Sequence, residues 1–169
     1  MTAGCKRVEL PASDVSGLEV GDRVVFSGRV YAGRDAALPR VCELISEGRQ
    51  VELGVDLAGC GVFHTAVSDA GIGPTSSNKV EIEESFGPLC QAGTRVFLGK
   101  GALKSETVEM LGRHGAVFAV VPPVTALLGR GMVSKRCVAF PELGMEALYE
   151  LVLEECPAVV AAAGGRSMF

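Results

Sequence analysis

Gly73-Pro74-Thr75-Ser76-Ser77-Asn78-Lys79 opens one stretch of the chain and Leu98-Gly99-Lys100-Gly101 closes it, with a helix-like segment between. Gly73 and Pro74 impose a turn, and the hydroxyls of Thr75, Ser76 and Ser77 suit the capping of a helix that starts near Val80. Residues 94–98 then read as a short buried strand, and Gly99-Lys100-Gly101 puts a lysine between two residues without side chains at its exit. Turn, helix and strand in this succession are the repeat of an α/β domain, whose ligands settle at the carboxyl ends of parallel strands. A carboxylate or phosphate at the helix start would meet unpaired backbone N–H groups, the hydroxyl of Thr75 or Ser76, and the charge of Lys79. The same residues also make ordinary helix-entry and exposed-loop chemistry, so an anion site is one of two readings they allow.

Neither nucleotide fingerprint is met. A phosphate-binding P-loop needs glycine five residues before Gly99 and Ser or Thr after Lys100, where the chain has Thr94 and Gly101. Gly71-Ile72-Gly73 lacks the third glycine of a dinucleotide site, because position 76 is serine. The 169 residues suffice for one domain, 1–169, with a core rich in Val, Leu and Ala, since 48% are hydrophobic and only 5% aromatic. A net charge of −4 gives no electrostatic case for nucleic acid or an anionic membrane as partner. The six cysteines (5, 42, 60, 90, 137 and 156) form no Cys-x-x-Cys pair and have no histidine at ligand spacing, so they read as buried free thiols and no metal site is expected. Residues 1–14 lack the apolar core of a signal peptide, and the apolar run 116–128 is too short and too interrupted by Pro122-Pro123 to span a bilayer. A cytoplasmic protein is expected.

Along the chain, residues 6–10 and 23–31 read as strands. Asp35 is placed to cap a helix reaching about Glu47 before Gly48. Residues 50–57 and 61–67 alternate like further strands, and His64 shares a face with Val62 and Ala66, as a core or edge histidine rather than a catalytic one. A helix over 105–113 ends at His114 and Gly115; strands follow at 116–121, 135–140, 148–153 and 158–162, with a short helix at 124–128 and a tail from Gly164. Arg34, where the second strand gives way to a helix, would either pair with a neighbouring carboxylate or bind one on a ligand.

The segment from Gly73 resembles the Gly-Pro-Thr-Thr-Ser/Ala-Gly-Arg-Met-Asp signature of the β subunit, or C-terminal domain, of the iron–sulfur hydro-lyases, the class I fumarase and L-tartrate dehydratase family. Gly28-Arg29-Val30-Tyr31-Ala32-Gly33-Arg34-Asp35-Ala36-Ala37 is similar to that family's Gly-Arg-Asp-Ala-Ala block. Gly99-Lys100-Gly101, Glu106-Thr107-Val108-Glu109, His114-Gly115-Ala116-Val117 and Glu142-Leu143-Gly144-Met145-Glu146-Ala147 follow in family order, so the likeness covers nearly the whole chain. It implies a single swivelling β/β/α-type domain with a mixed, largely parallel sheet.

The resemblance implies reversible hydration of a small dicarboxylate of the fumarate/malate or tartrate type. The 4Fe-4S cluster would be carried by a partner α subunit and none by this chain; lacking that mate, the exposed docking face would let isolated chains form homodimers. Carried over by position, Thr75 would lie beside the reacting carbon and assist the base step, while Arg34, Ser76, Lys79 and Lys100 would hold the substrate. Lys79 stands where the motif has arginine, which keeps the charge and loses the two-pronged geometry. Leu38, Asn78, Val80, Glu81 and Pro122-Pro123 also depart from the pattern. Two other readings stay open: a non-catalytic anion-binding or interaction module on the same scaffold, and a phosphate-binding enzyme that acts alone.

Overall fold

A computed structural model describes residues 4–68, 71–75, 79–121 and 132–169. Four parallel strands carry the architecture. β2 (Arg23–Ala32), β3 (Gly61–Phe63), β6 (Val96–Gly99) and β7 (Val117–Val120) lie side by side, with β1 (Cys5–Leu10) parallel to the first half of β2. β9 (Leu148–Ala163) runs antiparallel along β2, from Ala32↔Tyr149 to Arg23↔Val159, and its far end pairs with β7 at Phe118↔Ala162. Hydrogen bonding thus closes through β2, β3, β6, β7 and β9 back to β2, which removes the open edges of the parallel set. β8 (Met132–Ala139) and β10 (Arg166–Ser167) extend β9, and β4 (Thr65–Ser68) with β5 (Gly71–Thr75) makes a separate antiparallel pair. The result is a mixed α/β fold with a partly parallel sheet of eight strands.

The strands read as unbroken apolar runs because both their faces are buried, and a period of two assigns alternate residues to two cores. Val30, Ala32, Phe63, Val96, Leu98, Val117 and Ala119 face the interior that β9 closes, beside Leu151, Leu153 and Val160. Tyr31, Val62, Phe97 and Phe118 point the other way, against the helices. Phe86 and Phe97 meet there at 4.3 Å between ring centroids and are fully buried, so truncating either to Ala would cost about 3–5 kcal/mol.

The helices α1 (Ala37–Ser46), α2 (Lys79–Gln91) and α3 (Ser105–His114) lay one apolar stripe each on that face: Ala37, Leu38 and Val41; Ile82, Phe86, Leu89 and Cys90; Val108 and Leu111. α3 stops at Gly115, whose φ of 67° lets the Gly115 and Ala116 N–H groups reach the carbonyls of Gly112 and Leu111 at 3.2 and 2.9 Å.

Several sequence expectations change. Residues 50–57 are not a strand: Gln50–Leu53 is a 3-10 turn with Val51 exposed, and the apolar alternation there serves to sink Leu53 and Leu57 from a loop. The strand expected over 61–67 breaks at His64, and the two expected over 148–153 and 158–162 are one 16-residue strand. Asp35 does not cap α1, whose N-cap is Ala36 without a side-chain bond. The tail from Gly164 contains β10, folded back on β9. Of the thiols, Cys60, Cys90 and Cys156 are buried, Cys5 and Cys42 are half-buried and Cys137 is exposed; all six are free. Ser76 and Ser77, Pro122-Pro123 and the helix expected over 124–128 lie outside the described residues.

Candidate active site

Every residue singled out for anion binding that the structure describes is carried on a chain segment leaving the carboxyl end of the parallel strands, or one or two steps beyond. Arg34 follows β2, where Gly33 N–H donates to the Phe63 carbonyl at 3.1 Å. His64 and Thr65 follow β3, and His64 N–H donates to the Leu98 carbonyl at 3.0 Å, one residue before Gly99-Lys100. Thr75 ends β5 and is the register partner of Thr65, so the hairpin returns the chain to the exit of β3. Lys79 begins α2 immediately afterwards, and Lys100 is exposed at the exit of β6. Ser76 lies outside the described residues. The parallel direction of β2, β3 and β6 puts their exits on one edge, and the antiparallel β4–β5 pair returns Thr75 to it.

Arg34 lines a narrow crevice, too tight for a water molecule, with Asp35, Leu38, Pro39, His64 and Ile82. Lys100 is not among the described residues of that lining. The Arg34 side chain is 28% exposed and its guanidinium is gripped at two points by Glu146: Nη2 donates to Oε1, and Nε donates to Oε2 at 3.4 Å. Hydrogen bonding to Glu146 holds Arg34 above its ordinary pKa, so the fork is charged at any working pH. The partner was not legible, since 112 residues separate the two; the β2–β9 register Ala32↔Tyr149 brings it alongside.

His64 is 1% exposed, edge-on to Phe86 at 5.2 Å. Ser85 Oγ lies 3.3 Å from its Nε2 and donates its single proton to the Ile82 carbonyl at 2.6 Å, so Oγ accepts from Nε2–H. Burial pushes the imidazole down to about 4, against a smaller upward pull from the Leu98 carbonyl, which keeps the ring neutral at neutral pH. Nδ1 is buried and makes no hydrogen bond among the described residues. The sequence expectation of a core histidine holds for its burial and misses that it lines the Arg34 cleft.

Chemically, the crevice sets a permanent cation beside a buried, neutral imidazole, with Lys100 on a neighbouring strand exit. No group of three or more His, Cys, Asp or Glu among the described residues is placed to hold a metal ion, and the cysteines offer no donor set for an iron–sulfur cluster. No described helix is long and apolar enough to cross a membrane.

Comparison with known proteins bears on this edge. The chain is 32% identical over 167 residues to a putative L(+)-tartrate dehydratase subunit beta of Methanocaldococcus jannaschii, covering 90% of this chain and 84% of that one. It is 28% identical to the L(+)-tartrate dehydratase subunit beta of Escherichia coli over 86% of this chain and 75% of the relative. Against the anaerobic class I fumarate hydratase of E. coli the identity is 26% over 88% of this chain, which spans only 28% of that enzyme's length. The family model described as Fumarase C-terminus matches residues 2–169. With that match over nearly its whole length and a relative 32% identical, the chain belongs to the Fumarase C-terminus family of hydro-lyases.

Proposed function

We propose that the chain, 1–169, is the β subunit of a two-subunit iron–sulfur hydro-lyase that reversibly hydrates a small dicarboxylate of the fumarate/malate or tartrate type. What supports this reading is the order of the elements: Arg34 follows β2, Thr75 ends β5, Lys79 begins α2 and Lys100 follows β6. Water elimination beside a carboxylate requires a weakly acidic proton to leave carbon, and the negative charge that builds on the carboxylate has to be met by fixed cations. Arg34 matches one carboxylate in width and charge, while Lys79 and Lys100 answer the other end. Thr75 serves beside the reacting carbon in the base step, and Ser76 adds a hydroxyl to the substrate site. The 4Fe-4S cluster belongs to the α subunit in this proposal. Two apolar cores on either side of a parallel set, one closed by the antiparallel β9, support a swivelling β/β/α type of domain. A cytoplasmic setting suits its six free thiols.

A second reading is favoured by one observation: Glu146 already satisfies Arg34, as in a binding module with no turnover. Coexpression with candidate iron–sulfur α subunits separates the two. The hydro-lyase reading expects a stable complex with oxygen-sensitive iron–sulfur absorbance that hydrates fumarate or dehydrates tartrate. A complex that assembles with its cluster and turns over no four- or five-carbon dicarboxylate supports the module.

A further inference from the structure

Glu146 holds Arg34 by one edge. A guanidinium has two edges as wide as a carboxylate: a side edge, Nε–H with one Nη2–H, and an end edge, Nη1–H with the second Nη2–H. Both Glu146 contacts fall on the side edge, Nη2 to Oε1 and Nε to Oε2. Two bonds to one carboxylate fix the plane of the fork. Because the group is rigid, they also fix the direction in which the end edge points.

Glu146 is itself held still. Ala147 and Leu148, which follow it, are buried, and Ala147 N–H donates to the Gly144 carbonyl at 3.1 Å. The same carbonyl accepts from the Tyr149 hydroxyl at 3.2 Å. Leu148 lies so near Gly33 that a Cβ added there would sit 3.4 Å from its Cδ1. The chain entering Arg34 and the chain leaving Glu146 are therefore packed together, at the end of the β2–β9 pairing. A carboxylate anchored in this way orients the arginine rather than swinging off it. Both side chains stay partly exposed, so a ligand can reach Arg34 from solvent without entering the narrow crevice.

We propose that Glu146 is a positioning residue, which clamps the side edge of Arg34 so that the end edge meets a substrate carboxylate in plane. The inference rests on the hydro-lyase reading and adds to it a residue that acts through Arg34. Charge and geometry oppose each other in this pair. Loss of the Glu146 charge alone would strengthen the attraction of Arg34 for an anion about threefold at a site this exposed. Loss of the clamp lets the fork turn and forfeits the alignment of two hydrogen bonds, which outweighs that gain. A built-in competitor, which the substrate had to displace, would carry the opposite sign.

The test measures succinate binding to the assembled α–β complex as wild type, Glu146→Gln, Arg34→Lys and the double variant. Glu146→Gln is expected to weaken succinate about tenfold although it makes the site more positive. A lysine is a point charge that needs no orienting, so in the Arg34→Lys background the same change is expected to tighten succinate about threefold. That reversal separates positioning from a merely structural role, which would weaken binding in both backgrounds. The segment Pro141–Glu146 buries none of its residues, so the complex is expected to assemble with Glu146→Gln. Should it not, Glu146→Asp keeps the charge and shortens the reach: weaker succinate supports positioning, and unchanged or tighter succinate overturns it. Equal or tighter binding by Glu146→Gln, or a loss of the same size in both backgrounds, likewise overturns the role and leaves the hydro-lyase reading standing. A wild-type complex that binds no dicarboxylate removes that reading, and this inference with it.

Discussion

Acidification offers a sharp test of how His64 is held. The unfolded imidazole takes up its proton near the ordinary value of 6.5, whereas in the folded protein burial delays uptake to about 4. Between those values the unfolded state binds more protons than the native one, so native stability falls as pH falls through this window and this contribution levels off below about 4. The interval of about 2.5 units corresponds to roughly 3 kcal/mol, of the same order as a quarter to a half of a typical domain's stability. Asp14, Asp22, Glu52 and Glu142 also weaken the fold on acidification, because Ser16, Lys6, Arg49 and Glu142's own backbone respectively lead in holding their pKa values low. Those terms are common to wild type and His64→Phe, and the difference between the two isolates the imidazole. Arg34 and Asp35 share its cleft and are left unchanged by the variant. Urea unfolding followed by circular dichroism at pH 7.0, 5.5 and 4.0 gives the curves. Wild type is expected to lose about 3 kcal/mol more than His64→Phe over the range. Parallel curves would refute the claim that this ring is neutral and buried.

Other expectations concern the site and its frame. A double-mutant cycle on Arg34→Gln and Glu146→Gln, read by urea midpoints at pH 7, should give a coupling of about 1 kcal/mol, above an exposed pair and below a buried one, since the two side chains are 28% and 30% exposed; a coupling of zero means the pair does not persist in solution. In the assembled enzyme, Thr75→Ala and Lys100→Ala should each lower kcat/KM by at least about a hundredfold as transition-state contacts are lost, whereas Lys79→Arg should keep or raise activity; wild-type kinetics for either alanine variant removes that residue from the site. Gly28→Ala should abolish soluble expression or cost more than about 4 kcal/mol, because a Cβ there would meet the Leu10 carbonyl oxygen at 2.1 Å on a backbone with φ of 106°; a stable variant would contradict the β1–β2 approach.

Local chemistry was legible where local forces decide. α1 and α3 announce themselves by apolar spacing and by Gly48 and Gly115 just beyond their ends, and β1, β2, β6 and β7 by short Val- and Phe-rich runs. The loop at 50–57 misled because alternation of Val51, Leu53, Val55 and Leu57 looks like one sheet face, although Gly54 turns the backbone and leaves Val51 in solvent. The sequence predicts strands at 148–153 and 158–162, with Glu154-Glu155-Cys156-Pro157 between them, where β9 is continuous. The structure carries the strand through with Glu155 at φ 51°, its N–H donating to Ser27 Oγ at 2.9 Å, and Pro157 opposite Val25. At the site, Arg34 and Lys100 stand out in the sequence by their glycine neighbours, while Glu146 and Ser85 do not. Their roles arise from β2–β9 register and from one hydroxyl's choice of acceptor, neither of which has a sequence spacing.

A crystal structure of the α–β complex with bound tartrate addresses the account most directly. The prediction is one ligand carboxylate on the Arg34 guanidinium and Lys100 Nζ within hydrogen-bond reach of the same molecule, beside Thr75. Tartrate seated away from Arg34, or a Lys100 turned from the ligand and from the α subunit, would contradict it.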